Sequence, residues 1–89
     1  MANLYLVDKP YGENGLALAE LDKDAKVALI QDGIYLDTSS VSKNGGAVYA
    51  IKTDVEKRGL SGKLPGYVKV IDYGDLVDLI VGNKVVNFT

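Results

Sequence analysis

Four carboxylates follow apolar runs along this sequence: Asp8, Asp32, Asp54 and Asp72. In a parallel sheet such positions gather at one end of the strands, where the ligands of open α/β proteins collect. Carboxylates placed there can hold a hard cation such as magnesium together with water. They can equally cap the helices that follow, by accepting backbone N–H groups. Asp32, Asp54 and Asp72 stand where helices are expected to begin, so capping accounts for three of the four. Composition removes much other chemistry. The 89 residues contain no Cys and no His, which takes away thiol nucleophiles, persulfide carriers, disulfides, thiolate metal sites and imidazole acid–base catalysis. Gly12-Glu13-Asn14-Gly15 follows the first apolar run but has neither Walker nor dinucleotide spacing. It reads as a simple turn, with at most weak anion binding at a helix start. A glycosidase-like carboxylate pair needs a larger cleft than so short a chain encloses. Lys9 and Lys52 read as solvated lysines. With no nucleophile–base pair visible, no catalytic residue, cofactor or metal is expected, and an independent enzyme is not expected.

The sequence centres on residues 27–35, Val-Ala-Leu-Ile-Gln-Asp-Gly-Ile-Tyr. Four consecutive apolar residues lack the alternation of a half-solvated strand and suit one covered on both faces. Gln31, Asp32 and Gly33 end the run, with Asp32 read as a cap and Gly33 as the bend that tolerates positive φ. Six tyrosines are present. Tyr5 and Tyr49 are expected in the core with their hydroxyls at an edge. Tyr35 and Tyr73 follow strand ends and are better placed on a partner surface, where tyrosine is enriched. By position alone, the candidate surface is Gln31, Asp32, Gly33, Tyr35, Asp72 and Tyr73.

Strands are expected at 3–7, 27–30, 47–51, 67–71 and 84–88, the last at a sheet edge. Residues 8–12 form a polar turn in which Pro10 bars further sheet pairing. A helix is expected over 14–21, and Asp22-Lys23-Asp24 as a solvated turn. A second helix starts at Thr53, whose spacing to Glu56 matches a capping box, and stops at Arg58-Gly59. A third follows the Asp72 cap, with Leu76, Val77, Leu79 and Ile80 on one broad face, and ends at Gly82-Asn83. Ile34–Leu36 offers little helix length, and residues 38–46 are loop chemistry rich in Ser, Asn and Gly. The second crossover therefore has little apolar surface with which to cover the sheet, and another subunit is the simplest cover. The alternation predicts a three-layer α/β/α sandwich around a mainly parallel sheet of about five strands, one domain over residues 1–89. A net charge of −2 gives no basic footprint for nucleic acid. The apolar runs fall short of the roughly 20 residues of a membrane helix, and no signal-peptide pattern opens the chain. A soluble, cytoplasmic protein is expected.

Several segments resemble one family. Leu29-Ile30-Gln31-Asp32-Gly33-Ile34-Tyr35 resembles the LLQDGVY segment of the TusB/DsrH proteins. Val48-Tyr49-Ala50-Ile51-Lys52-Thr53-Asp54 is similar to their VYAL-x-x-D, and Lys57-Arg58-Gly59-Leu60 to ARGL. Residues 70–79 are similar to VIDY-x-x-FV-x-L, and Val7-Asp8-Lys9-Pro10-Tyr11 echoes the x-x-KSPF opening. The resemblance implies a DsrE-like fold and a hexamer of two heterotrimers with TusC/DsrF-like and TusD/DsrE-like subunits. It implies a relay of persulfide sulfur, toward 2-thiolation of the tRNA wobble uridine or into sulfur oxidation, with the active Cys on the TusD/DsrE-like subunit. Some DsrH proteins carry a Cys in the first helix; residues 16–19 have none here, so catalysis by this chain is not implied. The stretch after Tyr35 is shorter than in other members and leaves room for a homodimer. Two functions therefore stand side by side: a non-catalytic subunit of a sulfur-relay complex, and a stand-alone homo-oligomeric binder of a small molecule or anion.

Overall fold

In the computed structural model, which describes residues 3–8 and 11–89, each apolar run becomes a strand of one sheet. The strands are β1 (Asn3–Val7), β2 (Lys26–Leu29), β3 (Ala47–Ile51), β4 (Val68–Ile71) and β5 (Lys84–Phe88). All pair in parallel, in the order β4-β3-β2-β1-β5, with β5 at an edge as expected. The helices are α1 (Gly12–Ala19), α2 (Ser39–Lys43), α3 (Lys52–Lys57) and α4 (Tyr73–Gly82), with a 3-10 turn at Gln31–Tyr35. Leu16, Val41 and Val55, from α1, α2 and α3, share one core with Val7, Val27, Leu29 and Val48. On the opposite face, α4 packs Leu76 and Leu79 over Leu4, Ala28, Ile51 and Ile71. The three layers are thus unequal. Polar-turn readings for Lys9 and Pro10 lie outside the described residues.

Several local expectations are corrected. Gly12-Glu13-Asn14-Gly15 is not a turn but the start of α1. Its glycines let the helix lie close to its neighbours: a Cβ at Gly15 would stand 2.7 Å from the Phe88 ring, and one at Gly12 would run into Leu36. Residues 38–46 are not all loop. The Asp37 carboxylate accepts the Ser39 N–H (3.0 Å) at the start of α2, and Val41 is buried. Gly45, with φ +87, donates to the Ser42 carbonyl while Gly46 donates to that of Val41, the paired bonds of a Schellman stop. The second crossover therefore does cover its face. The thinly covered face is the other one, where α4 lies alone.

The start of α3 also differs from expectation. Its N-cap position is Ile51, with no side-chain cap, and Thr53 lies inside the helix, so the capping box does not form. Its stop is as expected, with Gly59 at φ +64 and the Schellman bonds Gly59 N–H to Glu56 and Leu60 N–H to Val55. Asp72 caps α4 by accepting the Asp75 N–H at 2.8 Å, and the Asn83 amide donates to the Leu79 carbonyl at the other end. The broad apolar face expected on α4 splits: Leu76 is buried, whereas Val77 and Ile80 are exposed.

Asp22 is not merely solvated, for its carboxylate accepts from the Asn3 amide (3.0 Å) and the Tyr5 hydroxyl (3.1 Å) and so fixes the start of β1. Burial first, and the Asp22 carboxylate second, hold the Tyr5 hydroxyl above the ordinary tyrosine value of 10.0. The folded protein keeps this proton longer than the unfolded chain. The resulting stabilisation is complete below pH 10.0 and is lost as pH rises through the raised value. In urea titrations at increasing alkaline pH, Tyr5→Phe is expected to show a shallower loss of unfolding free energy than the parent protein. An unchanged alkaline slope would count against this linkage.

Candidate functional site

The carboxyl ends of the central strands are crossed by the 3-10 turn Gln31–Tyr35. Two features fold the chain this sharply. Gln31 takes the left-handed conformation, φ 47, although it is not glycine, a geometry that costs on the order of 1–2 kcal/mol for a residue with a Cβ. Gly33 is not the positive-φ residue; what it supplies is space, since a Cβ there would run into the Val7 carbonyl oxygen. That carbonyl accepts the Ile30 N–H at 3.1 Å, so the turn is drawn over the end of β1.

The strained backbone is held from α3. The Gln31 N–H donates to Asp54 Oδ2 at 2.9 Å. Asp54 is buried, and its Oδ1 lies 3.6 Å from Arg58 Nη1, one helical turn onward. Arg58 also donates through Nη1 to the Asp54 carbonyl (3.2 Å) and through Nε to Asp32 Oδ1 (2.9 Å). The Asp32 carboxylate beside it holds the Arg58 guanidinium above its usual value. Capping therefore fails as the account of two carboxylates: Ile30 stands at the N-cap of the turn with no side-chain cap, and both Asp32 and Asp54 serve Arg58. Asp72 alone of the three is a helix cap. Among the described residues, no group of three or more His, Cys, Asp or Glu is gathered to hold a metal ion.

Of the six residues singled out by position, Gln31, Asp32, Gly33 and Tyr35 share the turn after β2, and Asp72 and Tyr73 follow β4. Both sets stand at the same end of the sheet with β3 between them, a separation of about 9–10 Å at ordinary strand spacing. α3 leaves β3 toward one face and α4 leaves β4 toward the other, the divergence at which open α/β sheets form a crevice. Gln31, Asp32, Tyr35, Asp72 and Tyr73 are exposed, whereas Gly33 is buried and supports the surface from beneath. Arg58 and Asp54 were not among the six. Their i, i+4 spacing, suited to a helical ion pair, is the signal that points to them. The assembly is a rigid display of amide, carboxylate and phenol groups whose buried acid is occupied in holding backbone.

Glycine should be required at 33 and not at 31. In urea denaturation Gly33→Ala is expected to cost about 2 kcal/mol or more, as overpacking against fixed backbone does. Gln31→Gly should cost nothing or stabilise by up to about 1 kcal/mol, since it relieves the left-handed strain. Asp54→Ala is expected to lower stability by about 1–3 kcal/mol through the orphaned Gln31 N–H, and amide exchange at Gln31 should speed up accordingly. Protection at Gln31 surviving in Asp54→Ala would contradict the clamp.

Residues 12–86 match the family described as DsrH like protein. Over 59 residues the chain is 42% identical to Protein TusB of Photorhabdus laumondii subsp. laumondii, a match covering 66% of this chain and 60% of that protein's length. In architecture it is similar to the crystal structure of the ychN protein from E. coli, with a TM-score of 0.76, 22% identity, and coverage of 98% of this chain and 97% of that one. That likeness is one of fold. The family match takes in the four helices and the sheet from β2 into β5, and on it this chain belongs to the DsrH-like protein family.

Proposed function

We propose that this chain, working as one domain over residues 1–89, is a non-catalytic subunit of a cytoplasmic sulfur-relay complex. Its partners are TusC/DsrF-like and TusD/DsrE-like subunits, and the sulfur it helps to pass goes toward 2-thiolation of the tRNA wobble uridine or into sulfur oxidation. A persulfide relay runs through thiolates, and these 89 residues contain no Cys, so on this reading the sulfur-carrying thiol belongs to a partner. What supports a docking role is the clamped turn. Asp54 and Arg58 fix the backbone that presents Gln31, Asp32 and Tyr35, so little conformational freedom is lost when a partner binds. Tyr35 and Tyr73 are 53% and 56% exposed at that end of the sheet, the residue type that most often anchors an interface.

The anion-binding alternative has less support at the strand ends. α4 opens with the Asp72 and Asp75 carboxylates and α1 carries Glu13 in its first turn; all three repel an anion. Among the described residues no helix is long and apolar enough to cross a membrane.

The decisive measurement is the absolute mass in solution of the purified chain, alone and mixed with DsrE-like and DsrF-like proteins of the same source. A discrete hetero-oligomer is expected, and Tyr35→Ala or Tyr73→Ala should weaken its assembly at least about tenfold, the effect of losing a buried aromatic anchor. Failure to associate with either partner would overturn the relay reading.

A further inference from the structure

Beside α4 a strip of the sheet lies uncovered and forms the floor of an open groove of 420 Å³. Lys26 of β2, Tyr49 of β3 and Lys69 of β4 stand on that floor, while Asp75 and Asp78 line the α4 wall. The register sets Lys69 directly beside Tyr49, and Lys26 lies on the strand at the tyrosine's other side. Ordinary strand spacing and rise put the two lysine Cα atoms about 12 Å apart, so their long side chains can close on one group above the phenol. Asp75 and Asp78, three residues apart, project from the same side of the helix.

None of these four charged side chains pairs with a described residue. A simple anion entering the groove meets two carboxylates, and a simple cation meets two ammonium groups. The groove complements a dipolar ligand, anionic on one side and rich in N–H donors on the other. An amino-acid zwitterion answers one charge of each sign and leaves the other two unmatched. A nucleotide answers all of them. Its phosphate carries enough charge for both lysines, its base can stack on Tyr49, and an amino-bearing base can donate to carboxylates, which only accept. Guanine fits best, because its ring N–H and its amino group lie side by side on one edge and match the two oxygens of a carboxylate. The volume also falls within the roughly 300–1,000 Å³ of small-molecule sites.

We infer that the groove beside α4 is a binding site for a guanine nucleotide. Lys26 and Lys69 hold the phosphate, Tyr49 stacks on the base, and Asp75 and Asp78 accept from its N–H edge. The groove is open to water, which screens these charged contacts, so the affinity is modest and the nucleotide exchanges freely. The site lies along α4, off the Gln31–Tyr35 turn, and the inference does not rest on the relay reading.

Titration of the purified chain with GMP, followed through backbone amide NMR shifts, tests it. Saturable shifts are expected at Tyr49, Lys69, Asp75 and Asp78, with the Gln31–Tyr35 turn unmoved. Guanosine, which lacks the phosphate, and UMP, whose base lacks the amino group, should each bind at least about tenfold more weakly. Inorganic phosphate should give no saturable shift. Two double variants assign the contacts, each checked by its urea midpoint to be folded. Lys26→Ala with Lys69→Ala should weaken GMP at least about tenfold and bring it level with guanosine. Asp75→Asn with Asp78→Asn should weaken it similarly and bring it level with UMP. The inference is overturned by a chain that shows no saturable shift with GMP into the millimolar range. UMP or phosphate binding as well as GMP, shifts confined to the Gln31–Tyr35 turn, or GMP binding that survives both double variants would overturn it too. GMP bound in the groove by a chain that ignores DsrE-like and DsrF-like proteins would uphold this site and remove only the relay reading.

Discussion

Parallel pairing governs this molecule more than any single contact. A strand that must run the same way as its neighbour can be reached only by a connection crossing a sheet face, and such crossings are right-handed. The order β4-β3-β2-β1-β5 makes the first three crossings step the same way, so α1, α2 and α3 all fall on one face. Only the return from β4 to β5 uses the other. The consequence is visible residue by residue. Val7, Val27 and Val48 on the loaded face are buried, whereas Leu6 and Tyr49 on the opposite face are only half-buried and Lys69 is exposed. With few residues to spend on helices, the chain completes one layer and leaves the other to a single helix.

At the carboxyl ends, one buried acid organises the surface. Asp54 accepts a hydrogen bond from the backbone N–H of strained Gln31 and pairs with the Arg58 guanidinium at the end of its own helix. A buried carboxylate is tolerated when it is paired and hydrogen-bonded, and here its two partners are the groups that lock the turn to α3. The left-handed Gln31 and the close approach of Gly33 to Val7 then belong to a single device, a backbone folded hard over β1 and kept there. Rigidity of this kind suits a surface that presents side chains to a partner.

The strands could be read from the sequence because each is an unbroken apolar run, and the Asp72 cap and the Gly59 stop because their partners lie within a few residues. What escaped depends on distant partners. Residues 39–43 carry a single buried apolar group, Val41, in a Ser-rich stretch, and the helix is held by that burial and the Gly45–Gly46 stop. Gly12 and Gly15 look like turn residues until Leu36 and Phe88 come to rest against them. Asp32 and Asp54 sit where caps are common, and only the folded chain brings Arg58 between them. On α4, periodicity shows a broad apolar face but not that half of it points away from the sheet. The six surface positions were found from strand ends alone, while Asp54 and Arg58, which hold the turn carrying four of them, were not.

The pairing of β1 with β5, from Asn3 with Lys84 to Val7 with Phe88, also bears on how the molecule is made. Synthesis is vectorial, and contacts so distant in sequence are slow to form. Strands β1 to β4 and the three helices of the loaded face can assemble while the rest is still on the ribosome. The opposite face and the outer edge of β1 stay bare until residues 73–88 emerge, and Phe88 is also the residue that closes over Gly15. A nascent chain thus passes through an interval with one face complete but for Val86 and Phe88 and the other bare, the kind of species that chaperones bind and that aggregates when they do not.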